Sequence, residues 1–185
     1  GAIEKTANDK RGFAIYQDME EISSILPEKA ESSQLYAGFY RGPDVDINLI
    51  PAKNDSMLDI ARVCLRYSEL DKSLRFSKGL SEKGYKVFFH LFLTVRYSED
   101  ELFKVLDDAN DMDAYAVYFV DSYGYMLPSD VEYYYELFDK KLNPNIAIGF
   151  HAHNNMEMAL LNVIKLISLR GDRDIIIDSC ASGMG

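Results

Sequence analysis

The sequence predicts an α/β protein built on a parallel sheet, and three observations carry that prediction. Six short β-rich runs start 23 to 30 residues apart, about the length of one βα unit. Two of them, 87–93 and 115–120, are apolar nearly throughout, as strands are when helices cover both faces of a parallel sheet. Amphipathic runs with helix-start signals fill the intervals. The chain has 185 residues, 48% of them hydrophobic, enough to bury a core of ordinary size and too apolar for intrinsic disorder. No linker or low-complexity stretch divides it, so one domain over 1–185 is expected, with 1–12 left unassigned.

The elements follow in order. A helix over 18–26 stops near Pro27, because proline cannot continue a helix. Strands are expected at 34–39 and 57–65. Ser68 with Asp71 is a weak capping pair for the next helix. After a strand at 86–93, Ser98 and Glu101 form a capping box, and Leu102, Phe103, Val105, Leu106 and Ala109 keep helical spacing. After a strand at 115–120, Ser129 and Glu132 repeat the box ahead of Val131, Tyr134, Tyr135, Leu137 and Phe138. The tyrosine run 133–135 reads as helix packing surface. A strand at 145–150 leads to a helix over 156–169 with Gly171 as its C-cap, and a strand over 174–178 follows. This alternation leaves two architectures, an open doubly wound sheet or a (β/α)8 barrel. Six strands are two short of a barrel. The open sheet gains no support from glycine, since the chain has neither G-x-G-x-x-G nor a Walker A loop.

Composition excludes several functions. The formal net charge is -10, and the 20 basic residues are spread along the chain, so nucleic acid is not an expected partner. No stretch approaches the roughly 18 apolar residues of a membrane span, and the polar opening segment has no signal-peptide pattern. Cys64 and Cys180 have no metal or redox spacing, which fits a reducing, cytoplasmic setting.

The chemistry gathers at the predicted strand ends. His151 and His153 stand two apart at the end of the 145–150 run, so both imidazoles project from one face at the end where α/β folds place their sites. Neutral imidazole is the commonest ligand for Zn, Mn or Fe. Two histidines hydrogen-bonded at a strand end are an equally weighted structural alternative. Asn154 and Asn155 could orient the rings from behind or cap the following helix. Asp121 and Ser122, Asp178 and Ser179, Arg62 and Arg66, and Thr94 and Arg96 end other strands. Together they give one face with hydroxyls, carboxylates, cations and two imidazoles, suited to a small anionic substrate. His90 lies in an apolar strand and reads as a satisfied buried histidine. The glycine-rich end, 182–185, could wrap an anion or be a tail.

The run from Ile148 through Phe150, His151, His153 and Asn155, then Ala159, Asn162, Ile177, Asp178 and Gly183-Met-Gly185, resembles the HMG-CoA lyase-like TIM-barrel metallolyases, closest to their 4-hydroxy-2-oxovalerate aldolase branch. Val120-Asp-Ser-Tyr-Gly124 with Pro128 looks like the family's sixth strand and loop, and Lys83 to Phe88 like its fifth. Glu157 stands where the synthase branch usually has glycine. The resemblance implies an α/β fold of (β/α)8 TIM-barrel type, incomplete, with about six βα units matching strands three to eight. It implies one divalent cation, Mn or Mg with Zn as a further option, held by His151 and His153. Ser122 and Asp121 would serve the binding of a small 2-oxo acid such as pyruvate, with Asn154 and Asn155 behind the metal ligands. The activity implied is cleavage or formation of a C–C bond beside the 2-oxo acid. The family's first strand carries an Arg-Asp pair that supplies a metal ligand and the main catalytic cation. Here the Arg-Asp pair, Arg173-Asp174, opens the last strand instead, so the catalytic residues are unassigned and Asp121 or Asp178 is the candidate third ligand. The alternative is a non-catalytic barrel fragment used for binding or assembly. Exposed sheet edges of such a barrel need a cover, either a second copy of the chain or rearranged terminal segments.

Overall fold

A computed structural model gives the fold, and the structure describes residues 2–3, 15–16 and 19–180. The expected glycine-rich end, 182–185, and most of 1–12 lie outside the described residues. The chain forms two compact units, Gly1–Phe89 and His90–Gly185.

In the first unit the strands are β1 (Ala2–Ile3), β2 (Ile15–Tyr16), β3 (Ala37–Tyr40) and β4 (Ile60–Arg66), joined in parallel in the order β2-β1-β3-β4. The two-residue strands β1 and β2 were not foreseen, because two residues leave no period in a sequence. The helices are α1 (Met19–Ser23) and α2 (Leu70–Glu82). Helix α2 buries Leu70, Leu74, Phe76 and Leu80 and packs on β4. The Ser68–Asp71 cap does not form: Ser68 sits in the 3-10 turn Tyr67–Glu69, and the helix starts at Leu70 without a side-chain cap.

Strands β3 and β4 begin three residues later than the sequence suggests because Asp59 takes over the chain there. Asp59 is 8% exposed. Its carboxylate accepts from the Tyr36 amide at 2.8 Å and pairs with Lys29 at 2.5 Å and Lys53 at 3.3 Å. The Asp59 and Ile60 amides donate to the Tyr36 carbonyl. At the other end of β4, Arg66 is bound by Asp44 at 2.7 Å and Glu69 at 2.9 Å.

The chain enters the second unit within β5 (Lys86–Phe92). Then come α3 (Glu99–Asp111), β6 (Ala116–Asp121), α4 (Pro128–Lys141), β7 (Ala147–Ala152), α5 (Ala159–Leu169) and β8 (Ile175–Ile177). Strands β6, β7 and β8 pair in parallel, with Val120 opposite His151 and Phe150 opposite Ile177. All six residues of β6 are buried. Phe119 stacks on Phe150 at 4.8 Å and meets Phe138 of α4 edge-on at 5.9 Å. Each such burial contributes about 1.5–3 kcal/mol. Tyr135 is buried, and Tyr134 stacks on Phe119, so most of the tyrosine run is packing surface.

The Ser98–Glu101 capping box forms as read. The Ser129 box does not. Pro128 takes the first helical position, where its missing N–H costs nothing, and Asp130 accepts from the Leu127 amide at 2.8 Å. Helix α5 starts three residues later than expected because Glu157 has φ 57°, which a right-handed helix excludes. Its C-cap is Arg170, and Gly171 is not left-handed.

Arg173 explains the misplaced Arg-Asp pair. Its guanidinium donates to the Asp139 carboxylate at 2.5 Å and to the carbonyls of Asp139, Asn143, Leu142 and Ile146 at 2.7–3.0 Å. It thereby ties the open C-terminal carbonyls of α4 to the start of β7. This arginine is committed to the fold at the end of the strands opposite the histidines.

Asp59 makes the fold sensitive to acid. Burial works to raise its carboxyl, but hydrogen bonds from Lys29, the Tyr36 amide and Lys53 outweigh it and hold the group below the usual carboxylate range. A carboxyl depressed in the folded state stabilises above its unfolded value, and that contribution fades as pH falls through the folded value. Asp59→Asn should therefore cost about 2 kcal/mol at pH 7. The difference from wild type should shrink on titration below about pH 4, the ordinary carboxyl range. Urea unfolding of both proteins at the two pH values checks this; a difference unchanged with pH would refute it.

Candidate active site

The register of β6, β7 and β8 brings Asp121, His151, His153 and Asp178 to one end of the sheet. His151 Nδ1 lies 2.6 Å from the Asp178 carboxylate, and His153 Nδ1 lies 2.8 Å from the Asp121 carbonyl. A carboxylate and a carbonyl only accept, so each Nδ1 carries the proton and donates it. A neutral ring held in this way keeps its Nε2 lone pair for a ligand. The rings stand 5.0 Å apart, edge to face. Asp178 reaches its place because its own amide donates to the Phe150 carbonyl, one residue before His151.

The groups that hold the rings are thus Asp178 and the Asp121 main chain rather than Asn154 and Asn155. Asn154 takes the capping role: its side-chain oxygen accepts from the Ala159 amide at 3.0 Å. Asn155 contributes its main chain, against which Gly124 packs.

That contact shapes the loop after β6. Gly124 has φ +66°, and a Cβ there would lie 2.6 Å from the Asn155 nitrogen and 3.0 Å from the His153 carbonyl carbon. The Met156 amide donates to the Gly124 carbonyl at 2.9 Å. Asp121 is 2% exposed, and its two carboxylate oxygens accept from the Tyr125 and Met126 amides, each at 3.0 Å. Buried Asn162 of α5 donates to the Met126 carbonyl at 2.7 Å. In the sequence Asn162 stands out through the family resemblance, and in the fold it is a buried polar residue of α5.

Ser122 has a different kind of partner. Its hydroxyl oxygen accepts from the Leu93 amide at 2.9 Å, which leaves the hydroxyl proton available as a donor. Leu93 has φ 58°, an unfavourable conformation for a leucine, and nothing in the sequence announced it. Thr94 is fully buried and bridges the strands, donating to the Leu91 carbonyl and accepting from the Val120 amide. It supports the fold rather than lining the mouth. His90 is buried, as read, at 3% exposure.

The arrangement offers two imidazole nitrogens and a hydroxyl donor. The donor set suits a divalent transition cation, and the fixed Nδ1 protons are what such a site requires. As placed, the Asp121 carboxylate accepts from two amides and the Asp178 carboxylate holds His151. Among the described residues no group of three His, Cys, Asp or Glu side chains is placed to hold a metal ion.

The chain belongs to the HMGL-like family, whose model matches residues 61–185. It is 30% identical to 4-hydroxy-2-oxovalerate aldolase of Shewanella pealeana over 177 residues, covering 94% of this chain and 50% of that protein. It is 29% identical to oxaloacetate decarboxylase of Mycobacterium tuberculosis over 128 residues, covering 69% of this chain and 37% of that one. The chain spans about half the length of the curated aldolases it matches. Among solved structures it is similar to the N-terminal domain of a candidate aldolase from Bacteroides vulgatus, with TM-score 0.61 at 19% identity, covering 86% of this chain and 51% of that one. These likenesses and the parallel βα alternation define the fold as a partial α/β TIM-barrel type.

Gly124→Ala tests the loop contact. The added methyl would be strained by the positive φ and would meet main-chain atoms of 153 and 155. A loss of about 2 kcal/mol is expected in urea unfolding. A change under about 0.5 kcal/mol, the range of neutral surface substitutions, would show that the two loops are not in contact.

Proposed function

We propose that this chain carries the metal-binding part of an aldolase-type lyase site that acts on a C–C bond beside the carbonyl of a small 2-oxo acid such as pyruvate. The observation that carries the reading is the pair of Nδ1-anchored histidines at the strand end, with both Nε2 atoms free of those bonds. His151 and His153 would hold a divalent cation, Mn2+ or Mg2+ in the first instance, with Zn2+ also suited to imidazole. When bound, such a cation supplies a Lewis acid for the oxygens of the 2-oxo acid. Ser122 donates its hydroxyl proton to a substrate oxygen. Asp121 serves by folding the 122–127 loop and fixing His153 through its carbonyl. The relatives' names, a 2-oxo acid aldolase and a 2-oxo acid decarboxylase, support the substrate class.

A reducing, cytoplasmic setting agrees with two free cysteines, Cys64 buried and Cys180 exposed. Among the described residues no helix is long and apolar enough to cross a membrane. A second reading, a non-catalytic binding or assembly module, is favoured by one observation: the histidine pair has no grouped third ligand among the described residues.

Calorimetric titration of Mn2+ separates the two. The lyase reading expects saturable binding that His153→Ala weakens at least about tenfold, the scale of a lost metal-site group, and tighter binding when pyruvate is present. No binding by wild type, or equal binding by the variant, would leave the module as the better account.

A further inference from the structure

His90 is a third histidine that the proposed chemistry does not use. It lies on β5 with 3% exposure, between the buried apolar residues Phe89 and Leu91. Its ring stacks on Tyr118 at 4.1 Å with an interplanar angle of 22°. It also meets the His151 ring at 6.3 Å and 77°. Tyr118 is itself 1% exposed and lies over the Gly149 main chain so closely that a Cβ at 149 would come 2.3 Å from the tyrosine ring. A continuous column thus runs from the bare main chain of β7 through Tyr118 and His90 to His151, and from His151 edge-on to His153. Close-packed interiors transmit such constraints, because a displaced ring has no free volume to move into.

We propose that His90 is a positioning residue for the histidine pair. Asp178 fixes where the Nδ1 of His151 points, but one hydrogen bond still allows the ring to swing about it. The His90 ring, held by its stack on Tyr118 and set at a steep angle to His151, removes that freedom, so that Nε2 of His151 is presented together with Nε2 of His153. Glycine at 149 belongs to the same device, since it lets Tyr118 back His90 at this depth. The inference rests on the metal-site reading for its purpose, but the ring geometry it describes is measurable without metal.

The test uses the full chain labelled with 15N, with His90→Phe, which keeps a ring, and His90→Leu, which keeps apolar bulk without one. The first readout is the imidazole spectrum of the metal-free protein. Wild type and His90→Phe should show one sharp set of His151 ring signals, and His90→Leu should show them broadened or doubled as the ring samples several orientations. The second readout is Mn2+ affinity, expected to fall about tenfold in His90→Leu and within about threefold of wild type in His90→Phe. If wild type binds no Mn2+, the metal reading fails while the spectrum still decides the role of His90. A His151 spectrum unchanged in His90→Leu, or disturbed equally by Leu and Phe, overturns the proposal. A purely structural His90 would lower the melting temperature of both variants and leave the His151 signals alone.

Discussion

Asp121 is the residue on which the rest of the site depends. Its two carboxylate oxygens hold the Tyr125 and Met126 amides. Its carbonyl accepts from Gly124 at 3.2 Å and from His153 Nδ1 at 2.8 Å. One residue at the last position of β6 therefore folds the loop that follows it and anchors Nδ1 of an imidazole just past the end of β7. Burial makes these bonds obligatory: a carboxylate at 2% exposure is costly unless its oxygens are occupied. The loop's shape and the histidine's orientation are in this way one equilibrium, not two.

Backbone strain is concentrated around the same loops. Of the three non-glycine residues with positive φ among the described residues, Leu93 follows β5 and Glu157 lies between His153 and α5, while Asp113 occupies a turn. Asparagine and aspartate tolerate that region through local hydrogen bonds, whereas leucine and glutamate have no such help. Each costs roughly 1 kcal/mol or more and persists only when surrounding bonds impose it. For Leu93 the imposing bond comes from Ser122. For Glu157 it is the turn in which its amide donates to Asn154 at 3.0 Å. Leu93 is bonded to Ser122 at the start of one of the two loops that meet at Gly124, and Glu157 lies in the other.

Much of this was legible in the sequence, and the gaps have physical causes. Strand positions came through because buried parallel strands are apolar and regularly spaced, and the six longer strands fall where the pattern put them. Strand and helix starts were less legible wherever a long-range side chain outcompeted the local signal. Asp59 draws residues 34–36 off the ladder, Asp130 displaces Ser129 as the cap of α4, and Glu157 delays α5. His151 and His153 were evident from i, i+2 spacing at a strand end. Their anchors were not, because a carbonyl carries no sequence signature and Asp178 lies 27 residues away. The tight approach at Gly124 is equally silent, since a glycine after Asp-Ser-Tyr reads as any turn.

The donor set bears on which ligand could complete the site. Imidazole nitrogens by themselves favour borderline cations such as Zn2+, and Mn2+ or Mg2+ gain from added oxygen donors. The Asp178 carboxylate orients the His151 ring and the Asp121 carboxylate holds the Tyr125 and Met126 amides, so drawing either toward a metal would cost the bonds that shape the site. In the proposed lyase, the 2-oxo acid would itself supply oxygen donors to a hard cation. A 2-oxo acid presents a keto and a carboxylate oxygen on adjacent carbons, a ready pair of hard donors. On the proposed lyase reading a 2-oxo acid would be both substrate and partner in binding the cation, so affinity for one should rise with occupancy by the other. A scaffold that used these histidines only for packing would show no such linkage.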